Sequence, residues 1–256
     1  MAKIQGWYGR MGNNILQVGN ALVHAFCNKS VFSCPTHTLF DSFSVPFGYN
    51  LPNSGLFFHV NPMQYGGLEQ FTTLRVRLIQ EFLQPRINLP LINTNLIDLI
   101  DNGAVVAHAR GGDIFGVAPP TNYIQHPLDF YLHLAKIHPI VILIYEDKTN
   151  PIVNVLSGNP NFHLTSNEPL IDFSIFTQAK SVALGGVGTF VPSACLLNTK
   201  LSTIYFSTVA SIDSYLPNNM EFKKICINLK GYIPENEWDG TDAQRDLMLR
   251  YKLPTL

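Results

Sequence analysis

The stretch Gly103-Ala-Val-Val-Ala-His-Ala-Arg-Gly-Gly-Asp113 decides the fold class of this chain. Residues 104–107 are small or β-branched, which is typical of a strand covered on both faces of a parallel sheet. The strand gives way to a glycine-rich turn that carries His108, Arg110 and Asp113. Ligands of open α/β sheets bind outside the carboxyl ends of the strands, and an Arg guanidinium makes forked contacts with phosphate. These residues therefore predict a phosphate contact at Arg110.

A simpler interpretation fits the same residues. Arg110 and Asp113 can form a local ion pair on a surface loop, and for an isolated motif of this composition the ion pair is the favoured interpretation. Further motifs have to decide between the two.

Strand-like and helical segments alternate after residue 103 at the spacing of βαβ units. This order predicts an α/β fold with a parallel sheet and helices on both faces. The predicted strands are residues 103–107, 140–145, 161–164, 181–184 and 202–206, and the predicted helices are residues 129–137, 151–156, 169–179 and 189–197. In the first part of the chain the predicted elements are strands at 31–33 and 56–60, a loop between them and a helix at 69–83. We place a domain boundary near residue 90, with domains 1–90 and 91–235 and a tail helix in 236–256.

Leu184-Gly-Gly-Val-Gly-Thr-Phe190 is a second strand, glycine turn and helix start. This geometry suits phosphate, because backbone amides and the helix dipole converge at such a turn. The stretch is neither Gly-x-Gly-x-x-Gly nor a P-loop, because no Lys follows its glycines.

Gly9-Arg-Met-Gly-Asn-Asn14 is a third loop that leads directly into an amphipathic helix. Free backbone N–H groups at such a helix start favour an anion or a sugar. The alternative is a plain turn with an Asn cap. Glu146-Asp147 follows the strand at 140–145 and can accept hydrogen bonds from a ribose or a base, although a solvated turn explains these two residues equally simply.

The pattern His108-x-Arg110-x-x-Asp113 resembles the His-x-Arg-Arg-Gly-Asp signature of the GT-B fucosyltransferases, which include the α1,2-, α1,6- and protein O-fucosyltransferases. Gly112 also matches, whereas Gly111 stands where many members carry a second Arg. The resemblance implies that Arg110 holds the β-phosphate of a GDP-sugar.

The other loops resemble the same family. Gly9, Arg10, Gly12 and Asn13 match its N-terminal loop, with Asn14 in place of Gln, so Asn13 is expected to contact the donor phosphate or the reacting centre and Arg10 and Gly12 to bind the donor. Gly188-Thr-Phe190 resembles a Ser/Thr-Phe-Ser segment, with Val191 in place of the last Ser; Thr189 would then donate to a phosphate and Phe190 would pack. Asp147 would lie near the nucleotide, and Asp172-Phe173 fits an acidic segment that precedes this element.

The resemblance implies a GT-B fold of two small Rossmann-like domains, a donor site in the cleft between them and a tail helix that crosses back to the first domain. The implied activity is inverting, metal-independent transfer of a sugar, most simply fucose from GDP-fucose, to a hydroxyl of a glycan acceptor. A different donor such as UDP-xylose is one alternative, and a catalytically inactive glycan-binding protein is another. The sequence contains no Asp-x-Asp motif, so we expect no metal. Asp41, Glu69 and His108 are the candidates for a general base.

Composition excludes several classes. The chain has 256 residues, is 46% hydrophobic and carries a net charge of −1, which argues against an electrostatic nucleic-acid binder. Its four cysteines contain no Cys-x-x-Cys pair, so a zinc or redox motif is not expected. No apolar run reaches the length of a membrane span, and the first residues contain no signal-peptide core. From these features we expect a cytoplasmic protein without stable membrane insertion.

Overall fold

The computed structural model describes residues 2–49, 53–55, 57, 59–218 and 220–254. The chain forms two compact units. The first unit consists of Met1–Pro90, Pro192–Leu197 and Ile212–Met220, and the second consists of Leu91–Val191, Asn198–Ser211 and Glu221–Leu256. The first unit is thus built from three separate stretches of the sequence.

The strands, in chain order, are β1 (Ala2–Ile4), β2 (Val31–Cys34), β3 (Phe43–Pro46), β4 (Asn53–Gly55), β5 (Val105–Ala109), β6 (Val141–Tyr145), β7 (Phe162–Thr165), β8 (Ser181–Ala183), β9 (Thr203–Ser207) and β10 (Lys223–Ile227). The α-helices are α1 (Met11–Cys27), α2 (Leu68–Leu78), α3 (Thr94–Asp101), α4 (Leu128–Ile137), α5 (Pro151–Leu156), α6 (Pro169–Gln178), α7 (Phe190–Leu197) and α8 (Asp242–Arg250). No helix in the described part of the chain is long and apolar enough to cross a bilayer.

The second unit contains a six-stranded sheet in the order β10-β9-β8-β5-β6-β7, and every pair in it is parallel. The predicted parallel α/β sheet is therefore confirmed. From β5 the chain adds β6 and β7 on one side, then returns to add β8, β9 and β10 on the other. The strand order consequently reverses between β5 and β8, and this is the place where ligands of open α/β sheets bind.

Strand β5 lies at the centre of this sheet and is longer at its carboxyl end than the sequence predicts. It continues to Ala109, so His108 belongs to the strand, with His108 opposite Ile144 of β6. The residues of β5 are buried apart from a partly exposed His108, as expected for a strand covered on both faces.

The C-terminal tail packs within the second unit. Trp238 and Met248 are fully buried members of the core that also contains Phe130 and Ile152, from α4 and α5. In the structure, α8 contacts α4 and α5, and Glu221–Leu256 belongs to the second unit.

The first unit contains a four-stranded sheet in the order β3-β2-β1-β4. Strand β1 is parallel to β2 and β4, whereas β2 and β3 form an antiparallel pair. Strands β1 and β3 were not predicted from the sequence, whereas a strand was predicted at residues 56–60. In the structure β4 ends at Gly55, and residues 57, 59 and 60 are not in a strand, so the prediction is wrong for these residues; Leu56 and Phe58 lie outside the described residues.

The helix predicted at residues 69–83 is divided. An α-helix covers Leu68–Leu78, a π-helical turn follows at Ile79–Leu83, and a 3-10 turn at Gln84–Arg86 contains Pro85. Proline lacks the N–H that would continue the helix and restricts the residue before it.

Arg75 of α2 is buried in the first unit. Its Nη2 donates to the carbonyl oxygens of Ser214 at 2.6 Å and Tyr215 at 2.9 Å, and its Nη1 donates to Asn20 at 3.2 Å. Burial lowers the pKa of this guanidinium to about 10. Arg75 therefore ties Ile212–Met220 to the helices of the first unit.

Candidate functional site

Two polar turns lie side by side at the carboxyl edge of the sheet of the second unit. The arginine turn, residues 110–113, follows β5, and the glycine turn, residues 184–189, follows the neighbouring strand β8. A Cβ atom placed on Gly188 would lie 3.7 Å from Nη1 of Arg110. The fold thus brings together two motifs that are far apart in the sequence.

The guanidinium of Arg110 is held from two sides. Nη2 donates to both carboxylate oxygens of Asp113, at 3.0 and 3.2 Å. Cζ lies 4.6 Å from the centroid of the Tyr123 ring, in a cation–π contact. The ion pair considered from the sequence is therefore present. Nη1 is the atom that faces Gly188, and the buried Nε has no hydrogen-bond partner among the described residues.

Asp113 contacts Arg110 and is largely exposed, with 54% of its side chain accessible against 18% for Arg110. A carboxylate only accepts hydrogen bonds, so an ionised Asp113 cannot donate one to a phosphate. Its action on an anionic ligand has to pass through the orientation of Arg110, which makes it a positioning residue.

Asp147 supports the arginine turn from the loop after β6. Its Oδ1 accepts hydrogen bonds from the backbone N–H of Thr149, at 2.8 Å, and from the Thr149 hydroxyl. The Thr149 oxygen in turn accepts from the N–H of Gly112 at 3.0 Å. Asp147 is expected from the sequence to face a nucleotide; in the structure one of its two oxygens is engaged within the protein.

The same contacts give a physical reason for Gly111. A Cβ atom at this position would lie 2.8 Å from Cγ of Asp147 and 3.1 Å from the hydroxyl oxygen of Thr149. An Arg here, as in many fucosyltransferases, would have to displace the Asp147 carboxylate. The missing second Arg and the Asp147–Thr149 pair are therefore features of one local arrangement.

The glycine turn approaches the backbone of β5 closely. A Cβ atom on Gly185 would lie 2.7 Å from the carbonyl carbon of His108, and Gly186 has a φ of +134°. Thr189 and Phe190, at the start of α7, are partly buried. The Phe190 ring stacks on His108 with centroids 5.6 Å apart.

His108 sits between aromatic rings. Besides Phe190, its ring meets Phe176 edge-on at 6.1 Å. Burial, and secondly the positive charge of Arg110, lower the pKa of His108 to about 4. The imidazole is therefore neutral at pH 7 and a weak base, which disfavours it as the general base of a reaction near neutral pH.

Asp172 and Phe173 lie on α6. The Asp172 carboxylate accepts from the backbone and side-chain N–H groups of Asn167, at 3.3 and 2.8 Å. Burial raises the pKa of Asp172. Phe173 is fully buried and meets the Phe190 ring edge-on, so it packs against the first residue of α7.

The remaining predicted site residues belong to the first unit, in the loop between β1 and α1. Gly9 has a φ of +68°, and a Cβ on it would lie 3.2 Å from Cγ of Asn13. The carbonyl of Arg10 accepts from the N–H of Asn13 at 2.9 Å. Gly12 is buried and Arg10 is exposed. Helix α1 begins after Arg10 without a side-chain cap, so the alternative of an Asn-capped turn is not what the structure contains.

Asn14 and Gln17 hold this loop in place. Nδ2 of Asn14 donates to the Tyr8 carbonyl at 3.0 Å, and Oδ1 lies 3.1 Å from Nε2 of His37. Gln17 accepts from the Tyr8 N–H at 2.7 Å.

Among the general-base candidates, Glu69 accepts the N–H of Asn218 with both oxygens, at 2.9 and 3.1 Å. Asp41, the last general-base candidate, is exposed in the loop before β3.

Among the described residues, no group of three or more His, Cys, Asp or Glu side chains is placed to hold a metal ion. Comparison of the sequence with protein-family models and with curated proteins gives no match. Function is therefore inferred from the topology of the sheet and the geometry of the two turns.

Sequence reasoning missed the residues that hold the site from a distance. Trp238 donates from Nε1 to the carbonyl of Ile114 at 2.8 Å, and Arg245 donates to the carbonyl of Phe115 at 2.6 Å. These contacts fix the 3-10 turn Gly112–Phe115 that completes the arginine turn. The long loop between this turn and α4 could have indicated from the sequence that further residues support the site, since such loops are often functional.

Proposed function

We propose that the second unit binds the diphosphate of a nucleotide-sugar between the arginine turn and the glycine turn, and that the protein is an inverting, metal-independent glycosyltransferase. One observation carries this proposal: Nη1 of Arg110 faces Gly188 at the point where the strand order of the sheet reverses. A cationic group and glycine backbone amides at such a point suit a phosphate group.

The proposed reaction uses Arg110 as the group that stabilises the leaving nucleotide. The acceptor hydroxyl oxygen attacks the anomeric carbon, the bond from that carbon to the β-phosphate oxygen breaks, and the nucleoside diphosphate leaves with one more negative charge. Arg110 neutralises the developing charge, and Thr189 and the amides of the glycine turn support it. Removing one preorganised donor of this kind typically lowers turnover by about 10²–10³. The acceptor proton passes to an oxygen of the leaving phosphate, as the resemblance to the fucosyltransferases implies.

GDP-fucose is the donor that the sequence resemblance favours. By the same resemblance, Asn13, Arg10 and Gly12 are expected to contact the donor. One observation supports a different donor, such as UDP-xylose: the Asp147 carboxylate takes up the space beside Gly111 that a second Arg would need. The reaction is the same for both donors, which differ in their affinity for the protein. The test must therefore include guanine and uracil nucleotides.

Thermal unfolding in the presence of GDP, GDP-fucose, UDP and UDP-xylose, each with and without EDTA, tests the proposal. A ligand at 100 times its dissociation constant stabilises the folded state by about 2.7 kcal/mol. We expect a shift with GDP and GDP-fucose that persists in EDTA and disappears in Arg110→Ala. Arg250→Ala, which removes an exposed arginine of α8, is the matched control and should retain the shift.

Two other outcomes are informative. A shift with UDP compounds alone would keep the reaction and replace the donor. No shift with any nucleotide, from a protein that unfolds cooperatively, would overturn the proposal and favour a glycan-binding protein.

A further inference from the structure

One segment contacts both turns of the candidate site. The 123–126 segment consists of Tyr123, Ile124, Gln125 and His126, and it lies in the long loop before α4. On the side of the glycine turn, the N–H of Val187 donates to the carbonyl of Ile124 at 3.1 Å and the N–H of His126 donates to the carbonyl of Gly185 at 3.2 Å. The segment therefore runs beside the glycine turn as a short extra strand.

Glycine is required for this approach. Gln125 and Gly186 form an antiparallel bridge. A Cβ atom on Gly186 would lie 2.5 Å from the carbonyl oxygen of Ile124 and 2.9 Å from Cα of Gln125. The close packing leaves the glycine turn little freedom to move relative to the segment.

The ring of His126 fixes the segment to the end of β9. Nδ1 lies 2.9 Å from the carbonyl oxygen of Leu184 and Nε2 lies 2.7 Å from the hydroxyl of Ser207. A carbonyl only accepts, so Nδ1 carries the proton and Nε2 accepts from Ser207. The Ser207 oxygen in turn accepts from the N–H of Val209 at 3.3 Å. Every polar atom of this buried pair is satisfied, which fixes the position of Leu184 at the start of the glycine turn.

On the other side, the segment contacts the arginine turn. The guanidinium of Arg110 packs over the Tyr123 ring. The carbonyl of Tyr123 accepts from Nε2 of Gln125 at 2.8 Å, so the tyrosine backbone is tied to the residue that pairs with Gly186. The position of the Arg110 guanidinium and the position of the glycine turn are therefore set by one continuous piece of chain.

We propose that the 123–126 segment is a positioning element that sets the spacing between Arg110 and the glycine turn, and that this spacing selects a nucleoside diphosphate over a monophosphate. The inference rests on the proposed function. A diphosphate can engage both turns at once only if their separation matches its length, whereas a monophosphate engages one. Loss of the segment's contacts should therefore weaken diphosphate binding more than monophosphate binding.

The experiment compares the dissociation constants of GDP and GMP by calorimetry for the wild type and two pairs of variants. Tyr123→Leu removes the ring beneath Arg110, and Tyr123→Phe keeps the ring. His126→Ala removes the contact with Leu184, and His126→Asn keeps an N–H donor in place of Nδ1. We expect the preference for GDP over GMP to fall by about threefold to tenfold in Tyr123→Leu and His126→Ala. Tyr123→Phe should keep the wild-type preference and His126→Asn should restore most of it.

The outcomes separate this inference from the proposed function. If the wild type binds neither nucleotide, and UDP and UMP also fail, the proposed function itself is wrong. If the wild type prefers GDP and the Leu and Ala variants lose affinity for GDP and GMP equally, the segment has a purely structural role and the inference is overturned. Tyr123 is only partly buried, so its variants decide the matter even if His126→Ala does not fold.

Discussion

The phenolic hydroxyl of Tyr131 donates a hydrogen bond of 2.8 Å to the backbone carbonyl of His108. The same oxygen lies 3.4 Å from the carbonyl of Gly185. A single buried hydroxyl of α4 thus lies where the carboxyl end of β5 meets the turn after β8, directly beneath the candidate site.

Tyr131→Phe should therefore destabilise the second unit by about 1–2 kcal/mol, because a buried carbonyl loses its donor. Tyr232→Phe is the matched control. Tyr232 is buried in the same core, and its hydroxyl has no hydrogen-bond partner among the described residues, so its removal should be neutral or stabilising. Urea unfolding of both variants measures the difference, and equal losses would contradict the role given to Tyr131.

Two of the three glycines of the glycine turn, Gly185 and Gly188, should respond differently to a methyl group. Gly185→Ala forces a Cβ against the His108 carbonyl and should cost about 1–3 kcal/mol in unfolding free energy. Gly188→Ala meets only Nη1 of Arg110, at an ordinary 3.7 Å. It should leave stability within about 0.5 kcal/mol and weaken GDP binding by about tenfold. Urea unfolding and calorimetry provide the two measurements; unchanged GDP binding in Gly188→Ala would remove the glycine turn from the site.

Acid should destabilise the second unit through His108 and His126. Burial lowers the pKa of His108 to about 4 and that of His126 to about 3, from an ordinary 6.5. Between pH 6.5 and 4 the unfolded chain binds protons that the folded chain does not, so stability is full above pH 6.5 and falls as the pH drops through this window.

The share of His108 in this acid sensitivity is at most about 3 kcal/mol. His108→Asn should flatten the dependence of the urea midpoint on pH between 6.5 and 4. The control His163→Asn removes an exposed histidine of β7 and should leave the dependence as it is. If the urea midpoint of His108→Asn depends on pH as steeply as that of the wild type, the His108 imidazole is not held neutral by burial.

The tail should hold the arginine turn in place. Arg245 donates to the carbonyls of Phe115 and Gly240 at 2.6 and 2.8 Å, so Arg245→Met should speed amide exchange in residues 112–124 and cost about 1–3 kcal/mol. Arg250→Met changes an exposed arginine of the same helix that pairs with Asp246, and it should alter neither the exchange of residues 112–124 nor the stability. Exchange measured by mass spectrometry distinguishes them, and identical patterns would exclude a supporting role for Arg245.

The fold of the second unit was readable from the sequence because its strands are continuous apolar runs separated by helices. Strand β10 was missed. Its residues are mostly exposed or partly exposed at the sheet edge and include Lys223 and Lys224, so its pattern lacks the apolar run of a central strand. Strand β1 has only three residues, and β3 ends in Pro46, which weakens any strand signal.

The candidate site was predictable where function is encoded locally. Arg110 and Gly188 stand in turns directly after strands, and such a position can be recognised from neighbouring residues alone. Tyr123, His126 and Trp238 act through contacts with residues distant in the sequence, such as the bond from Trp238 to Ile114. A contact of this kind cannot be predicted from the neighbouring residues in the sequence. The binding roles of Asn13, Arg10 and Asp147 remain predictions.

The three-part first unit restricts the order in which the chain can fold during synthesis. A nascent chain that ends at Pro90 lacks Ile212–Met220, and Arg75 would then be without the carbonyls of Ser214 and Tyr215. The N-terminal unit therefore cannot complete its core until most of the second unit has left the ribosome. Domains usually fold in order from the N-terminus during synthesis. Here the unit that is translated first completes its folding late.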